Sequence, residues 1–385
     1  MKIFRKKSNQ FVSQVVILAM VFGFAAGVVG QLVADTYLDP YAEYADSYIA
    51  ANTNIAPIIP ELSRLKRFLG IEQDFAVDKA VQKTQLSLAG IYLEKTANNT
   101  ISQAYLPSDL LANAFVLTSD GWLVTDSKIF SRYQVNQLAV AYQNKIYQIE
   151  KDITDDVSGI TFVKISASNL PVMVLGDSDE MIRGQLAVVL NALGQVEVLN
   201  LKSNTYYDLT SPQDLIQSSE EYHNLFLFNT HLDQSFVGSP VVNLAGEVVG
   251  VINYVDLNDN LITAVPLNQF RPVALDVLRS NVVKRPYLGV EYLDLSQTIG
   301  LSDSVSQGLD RGALVFQQPT KSSPAAEAGV KLNDIILSVE GQLVGKDSSL
   351  TELIQQYQPA DQIILEVLRD GQVISFDVTL SLLTQ

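Results

Sequence analysis

The chain has no cysteine, only two histidines and a single tryptophan among its 385 residues. Without cysteine it can form no disulfide, no cysteine-ligated zinc site and no thiol nucleophile. We expect the two histidines, His223 and His231, to be surface or turn residues. The sequence shows no metal-ligand spacing and no phosphate-binding glycine loop, so we expect no metal and no cofactor.

Positive charge is also scarce. The chain carries 26 basic against 42 acidic residues, and four of the basic ones stand within the first seven positions. The remaining body is strongly acidic and would repel a phosphate backbone, so we expect no nucleic-acid partner. The length is sufficient for two to three domains, each with its own core.

One long hydrophobic run, residues 11–34, contains no charge and follows a basic tail at residues 1–10. Its length is close to the ~20 residues that a helix needs to cross a membrane. Basic residues precede it and acidic residues follow it, which places the N-terminus inside and the body outside the cytoplasmic membrane. We therefore expect an uncleaved single-pass transmembrane helix. The alternative is a signal peptide cleaved near Leu32-Val33-Ala34.

Residues 35–75 are rich in tyrosine, acidic residues and proline, which indicates a stalk with a helix over Glu61–Leu69. Residues 76–280 alternate short apolar runs with turn residues, which is typical of a barrel or a sandwich. The predicted strands are Leu86–Leu93, Ala114–Thr118, Trp122–Thr125, Leu138–Tyr142, Lys145–Ile149, Ile160–Ile165, Val172–Leu175, Gln185–Leu190, Gln195–Leu201, Leu225–Asn229, Pro240–Asn243, Val248–Tyr254 and Leu261–Val265. A helix over Phe270–Ser280 is predicted to lead into a last domain.

The most specific stretch is SFVGSPVVNLAGEVVGVIN, which runs from Ser235 to Asn253. Its second half predicts two apolar strands joined by a tight turn at Ala245-Gly246. The stretch resembles the nucleophile region of HtrA/Deg-type trypsin-like serine proteases, which reads G-N-S-G-G-P-L-V-N followed by G-x-V-I-G-I. The resemblance implies that residues 76–280 form two antiparallel β-barrels with an active cleft between them.

The catalytic residues of that family do not stand at the matching positions. The segments DGWLVTDSKIF and GITFVKI are similar to those that carry the family's histidine and aspartate. At the positions of histidine, aspartate and serine stand Lys128, Gly159 and Val237. A valine cannot attack a carbonyl carbon, and Ser235 replaces the glycine whose N–H would help to hold the oxyanion. We therefore expect no catalytic residue, and we expect the chain to be an inactive homologue, a pseudoprotease.

An unusual active site is the alternative. Ser235 or Ser239 could replace the missing nucleophile if Lys128 served as its base, which requires hydrogen-bond contact between them. Acidic residues near these segments are expected to lie in exposed turns or on a solvated loop face. They are Asp126, Asp152, Asp155 and Asp156.

Residues 284–385 resemble the PDZ domain of HtrA proteases. The motifs YLGV, SPAAEAGV, NDIILSVEGQ and LRDG follow each other in that domain's order. The resemblance implies that an extended peptide binds beside a carboxylate-binding loop and against a helix over residues 348–356. The expected peptide-binding residues are Tyr287, Leu288, Gly289 and Val290 in the loop and Leu350 and Ile354 on the helix. The alternative is that these residues are merely core and that the groove is occluded.

The predicted fold class is mainly β, with an N-terminal transmembrane helix, a trypsin-like double β-barrel and an α+β PDZ domain. The expected function is a membrane-anchored pseudoprotease that binds peptides or protein C-termini, in a regulatory or scaffolding role in envelope protein quality control. The resemblance also implies trimers or hetero-oligomers with an active relative. Two alternatives remain: an active serine endopeptidase with a Ser/Lys site, and a structural envelope protein whose PDZ groove is unused.

Overall fold

A computed structural model describes residues 60–95, 101–207, 209–229, 232–256, 261–346 and 348–384. The chain divides into two compact units, Met1–Ile71 and Glu72–Gln385. The predicted basic tail and the predicted transmembrane helix over 11–34 lie outside the described residues. Among the helices that the structure describes, none is both long and apolar enough to cross a membrane.

The first described element is a helix, α1 (Pro60–Thr84), which is much longer than the predicted Glu61–Leu69. Its last turns pack Val77, Ala80 and Val81 against the main hydrophobic core. The helix therefore continues past the predicted stalk and becomes part of the folded body.

The next six strands form a closed antiparallel barrel in the order β1-β2-β3-β6-β5-β4. They are β1 (Leu88–Leu93), β2 (Leu110–Val116), β3 (Trp122–Asp126), β4 (Leu138–Tyr142), β5 (Lys145–Asp155) and β6 (Ile160–Ile165). A short helix, α2 (Lys128–Arg132), follows β3. Strand β3 is apolar on both faces because Leu123 faces the interior of this barrel while Trp122 and Val124 face the core between the barrels.

A second barrel follows. The strands of this part of the chain are β7 (Val174–Leu175), β8 (Leu186–Leu190), β9 (Val196–Tyr206), β10 (Ile216–Ser218), β11 (Leu225–Phe228), β12 (Pro240–Val242), β13 (Glu247–Asp256) and β14 (Leu261–Pro266). Six of them pair in the order β12-β8-β9-β11-β14-β13, and β13 pairs with β12 to close the ring. Strand β7 adds to the outside of β13, and β10 leaves this barrel altogether.

Helix α3 (Leu267–Ser280) packs its apolar face, including Phe270, Val273 and Val277, against the core between the barrels. It leads into a C-terminal domain with helices α4 (Asp303–Ser306), α5 (Pro324–Ala328) and α6 (Leu350–Ile354). The strands there are β15 (Pro286–Tyr287), β16 (Glu291–Asp294), β17 (Ala313–Val315), β18 (Ile335–Val339), β19 (Gln342–Leu343), β20 (Gln362–Arg369), β21 (Gln372–Thr379) and β22 (Ser381–Leu382).

The main sheet of the C-terminal domain contains one strand from outside it. Its order is β10-β16-β17-β18-β20-β21, with β19 beside β18, while β15 pairs with β22. All thirteen predicted strands and the predicted double barrel are confirmed. Among the described strands of residues 76–280, β10 is the one that the sequence did not predict.

A buried ion pair joins the linker to the first barrel. The side chains of Arg285 and Asp155 are 1% and 0% exposed. Arg285 Nε lies 3.1 Å from Asp155 Oδ1, and Nη2 bonds both Asp155 Oδ2 and, at 2.6 Å, the carbonyl oxygen of Gln269 on α3. The prediction that Asp155 lies on a solvated loop face is wrong, because its charge is neutralised by a residue 130 positions away.

Replacing Arg285 by methionine should strongly destabilise the fold, because it leaves the Asp155 carboxylate buried without a cation. We expect a loss of about 3–5 kcal/mol in the free energy of unfolding. The measurement is urea denaturation followed by the fluorescence of Trp122, which is buried in the core. The matched control is Arg311→Met, since Arg311 is 59% exposed and pairs with an exposed acid. Equal losses in the two variants would contradict a structural role for the pair.

Candidate functional site

A cleft of about 870 Å³ opens where the two barrels meet. Its lining includes Asp126 and Lys128 from the end of β3 and the start of α2, together with Ser235 and Val237 from the loop before β12. Asn113 on β2 holds that loop in place. Its Nδ2 atom donates to the carbonyl oxygens of Ser235 and Val237 at 2.6 and 2.9 Å. The cleft is therefore built from both barrels.

The residues at the three triad positions lie in one neighbourhood. Lys128 and Val237 both line the cleft. The carbonyl oxygen of Gly159 accepts a hydrogen bond from the backbone N–H of Ser127, 2.9 Å away and directly before Lys128. The matched segments thus come together in space, as the resemblance implies.

The two substitute serines differ sharply in access. Ser235 is half-buried and lines the cleft, where its Oγ bonds the side chains of Asn191 and Gln195 at 3.0 and 3.2 Å. Ser239 is fully buried, and its hydroxyl has no partner in the described structure. Only Ser235 could therefore meet a substrate in this conformation.

Lys128 is turned to the other side of the cleft. Its Nζ donates to the carbonyl oxygen of Asn253 at 2.6 Å and lies 5.1 Å from the centre of the Tyr254 ring. In the described part of the chain, no hydrogen bond joins Lys128 to either serine. His223 accepts a hydrogen bond from the N–H of Ser218 at 3.4 Å, away from this cleft, and His231 lies outside the described residues.

The loop's own N–H groups are occupied. Gln234–Phe236 forms one turn of 3₁₀-helix, which Asp233 caps. The N–H of Ser235 donates to Asp233 Oδ1 at 2.7 Å, and the N–H of Val237 donates to the carbonyl oxygen of Gln234 at 3.2 Å. An oxyanion needs such donors to be free and convergent. In this conformation they are neither.

Asp126 is a buried acid rather than the exposed turn residue that the sequence predicted. It is 3% exposed, and one of its oxygens accepts the N–H of Lys128 at 3.0 Å. Burial raises the pKa of Asp126 to about 6, although the nearby charge of Lys128 opposes the shift. A carboxyl group that changes its protonation state near neutrality therefore stands at the edge of the cleft.

The predicted carboxylate-binding loop lies in the C-terminal domain as expected. Gly289 has φ +80°, and an added Cβ would approach the Cβ of Ser323 to 2.4 Å, so a side chain at this position must displace the loop. Leu288 and Val290 are buried. Leu350 and Ile354 on α6 are also fully buried, within the core of this domain. Their assignment as peptide contacts stays a prediction.

The groove beside this loop is filled by β10. Its residues pair antiparallel with β16, with Gln217 opposite Tyr292. Just beyond the strand, Glu220 Oε1 accepts the N–H groups of both Leu288 and Gly289 at 2.9 Å. Sequence reasoning missed β10 because three residues are too short for a periodicity. The sequence offers no local signal for it, because its pairing partner β16 lies in the C-terminal domain.

The described residues contain no group of three or more histidine or acidic side chains that could hold a metal ion.

Two family models match the chain. Residues 112–251 match the trypsin-like peptidase domain, and residues 286–380 match the PDZ domain. The two matches follow each other along the chain in the order that its motifs predicted.

Its curated relatives are proteases. A probable periplasmic serine endoprotease DegP-like of Halomonas elongata is 26% identical over 275 residues, which cover 70% of this chain and 56% of the relative. A protein of the same name from a Marinomonas species is 28% identical over 283 residues, with the same coverage of 70% and 56%. The chain thus spans little more than half the length of these relatives.

Solved structures agree on the fold. The HtrA-type protease AlgW with a decapeptide has a TM-score of 0.60 at 20% identity, covering 80% of this chain and 99% of that chain. The same protease with a tripeptide has a TM-score of 0.61 at 21% identity, covering 80% and 98%.

The resemblance to HtrA- and DegP-type proteases is supported by these matches. The expectation that the chain is not an enzyme is contradicted, because its curated relatives are named serine endoproteases and none of the names describes an inactive form. The missing triad residues and the replacement of the oxyanion glycine by Ser235 led to that expectation.

The raised pKa of Asp126 makes a prediction about stability. Between pH 3.8 and about 6 the folded protein keeps a proton on Asp126 that the unfolded chain has released. The contribution of this residue to stability therefore falls as pH rises through that window, by on the order of 2–3 kcal/mol, and is constant above it. In Asp126→Asn this fall should be absent.

The measurement is urea denaturation of the parent and of Asp126→Asn at pH 3.5 and pH 7.5. The control is Asp156→Asn, since Asp156 is exposed and should follow the parent at both pH values. If Asp126→Asn shows the same pH dependence as the parent, Asp126 does not titrate in this window.

Proposed function

We propose that this chain is an extracytoplasmic HtrA-type protein that binds peptides or protein C-termini at its PDZ groove and acts in envelope protein quality control. The observation that carries the proposal is the pair of N–H groups of Leu288 and Gly289, which converge on a single carboxylate oxygen. Convergent backbone donors beside a free strand edge are how a PDZ domain holds the end of a peptide.

The groove supplies the remaining parts of such a site. The edge of strand β16 pairs with an added strand, here β10, and α6 faces that strand with Thr351. The tightly enclosed Gly289 fixes the turn that aims the donors. The structurally similar AlgW structures hold a decapeptide and a tripeptide, which supports peptide binding for this fold.

The assembly and its location are part of the same proposal. Residues 11–34 would anchor the chain in the cytoplasmic membrane with the body outside, in keeping with relatives that are named periplasmic. We further propose that the chain forms trimers, or mixed oligomers with an active relative.

Peptide binding should depend on Gly289. In Gly289→Asp, the new side chain would strain the loop and place a negative charge where the ligand's carboxylate binds. We expect the affinity for peptides with a free C-terminus to fall at least about tenfold, measured by fluorescence anisotropy with a peptide library on the full chain in detergent.

The matched control is Gly341→Asp. Gly341 also has a positive φ, +76°, but nothing lies within 4 Å of its added Cβ. It therefore repeats the backbone strain without touching the groove. Equal affinities in Gly289→Asp and Gly341→Asp would argue that the groove is unused and that the chain is a structural envelope protein.

Peptide-bond hydrolysis in the cleft is the second candidate function, and the names of the curated relatives favour it. Because Lys128, Gly159 and Val237 occupy the triad positions, we propose that cleavage would use Ser235 as nucleophile and Lys128 as its base. Ser235 already faces the cleft. Lys128 would have to exchange its bond to Asn253 for one to Ser235, and the loop would have to free its N–H groups.

This route predicts that unfolded casein is cleaved by the parent and not by Ser235→Ala, since alanine has no hydroxyl to attack the carbonyl. The control is Ser239→Ala, which should cleave at the parent's rate because Ser239 is fully buried. Cleaved fragments are followed by gel electrophoresis. A parent that leaves casein intact, or a Ser235→Ala variant that still cleaves it, would exclude this route.

A further inference from the structure

The segment that fills the PDZ groove belongs to the same chain. Residues 207–224 connect β9 to β11 of the second barrel, and their middle portion crosses to the C-terminal domain as β10. Ile216, Gln217 and Ser218 pair with Leu293, Tyr292 and Glu291. An added peptide would bind along this same edge of β16, through the same backbone hydrogen bonds.

The hydrogen bonds at the end of this segment resemble those that the C-terminus of a bound peptide would make. The N–H of Ser219 donates to the carbonyl oxygen of Val290 at 2.9 Å, and the N–H of Val290 donates back to Ser219 Oγ at 3.0 Å. The next residue, Glu220, offers its side-chain carboxylate to Leu288 and Gly289. A peptide that ended at the position of Ser219 would bring its terminal carboxylate to these same donors.

Side chains on the helix side of the groove also donate hydrogen bonds to the segment. Thr351 Oγ1 donates to the carbonyl oxygen of Ser218 at 2.7 Å, and Gln355 Nε2 donates to that of Ser219 at 3.3 Å. At the other end, Leu215 and Ile216 pack against a second hydrophobic cluster of the C-terminal domain. The segment therefore has an apolar anchor, a paired strand and a carboxylate, in that order.

We propose that residues 215–220 are an internal ligand that closes the PDZ groove, with the Glu220 carboxylate in the place of a peptide's terminal carboxylate. This inference rests on the proposed function, that the groove binds C-termini. A peptide with a free C-terminus competes with the segment and binds only after the segment leaves. Since the segment is tethered to the barrel, its release needs no opening of the barrel strands.

Internal occupancy lowers the apparent affinity for every external ligand. The apparent dissociation constant equals the intrinsic one divided by the fraction of molecules whose groove is open. A tethered competitor acts at a high effective concentration, so that fraction is small. A substitution that weakens the binding of the segment to the groove should therefore raise the affinity for a peptide, although it removes contacts within the protein.

The first experiment measures the occupancy itself by hydrogen exchange of the full chain in detergent. In the parent, the amides of Leu288 and Gly289 should be protected, and in Glu220→Ala they should exchange at least about tenfold faster because their acceptor is gone. Glu220→Gln keeps the shape of the side chain and should show a smaller increase. The matched control is Glu221→Ala, since Glu221 is an exposed acid next to Glu220 and should leave the protection unchanged. Unprotected amides in the parent would overturn the proposal.

The second experiment measures competition with a fluorescein-labelled peptide of residues 214–219, Asp-Leu-Ile-Gln-Ser-Ser, that ends in a free carboxylate. We expect Glu220→Ala to bind it at least about tenfold more tightly than the parent and Glu221→Ala do. The amidated peptide should bind all of them more weakly. Equal binding by the parent and Glu220→Ala, with equal exchange, would overturn the internal ligand while leaving the PDZ function intact.

A failure of the internal-ligand proposal can be told apart from a failure of the proposed binding of C-termini. If neither this peptide nor a carboxylate-terminated library binds even Glu220→Ala, although its Leu288 and Gly289 amides have lost protection, the segment does occupy the groove and the proposed binding of C-termini fails instead.

Discussion

The buried pair of Arg285 and Asp155 is the constraint on which the position of the C-terminal domain depends. Arg285 stands directly before β15, and its guanidinium is held by the first barrel and by α3. Its own carbonyl oxygen accepts the N–H of Leu383 at the far end of the domain. A charge pair that is fully removed from water stabilises only when geometry is well satisfied. Here the requirement for good geometry holds Arg285 against the first barrel, α3 and the C-terminal end of the last domain.

The position of the groove follows from this constraint. Because Leu288 and Gly289 follow Arg285 by only three and four residues, their N–H donors face the second barrel closely enough for residues 215–220 to reach them. Asn224, just beyond that segment, also bonds Glu352 on α6. The chain then runs through β11 to the loop that holds Ser235. The groove and the cleft are thus joined by a short, continuous stretch of backbone.

Much of the fold could be read from the sequence, since alternating apolar residues and glycine turns are local signals. The site was less accessible because its decisive features are long-range. Asp155 and Asp126 look like ordinary polar residues until the fold buries them. Ser235 and Ser239 are equivalent in the sequence, and only the packing separates a cleft residue from a core residue. Strand β10 exists because of its partner β16, and no local propensity specifies it.

Helix α1 is attached to the second barrel at the turn between β12 and β13. Near its C-terminal end, Lys83 Nζ donates to the carbonyl oxygen of Ala245, 2.8 Å away in the turn between β12 and β13. Ala80 packs into the main core one turn earlier on the same helix. A force applied along α1 would therefore be delivered to the β12–β13 hairpin, whose second strand reaches the cleft at Asn253 and Tyr254. A movement of the last turns of α1 and a change at the β13 side of the cleft would therefore be coupled through this hairpin.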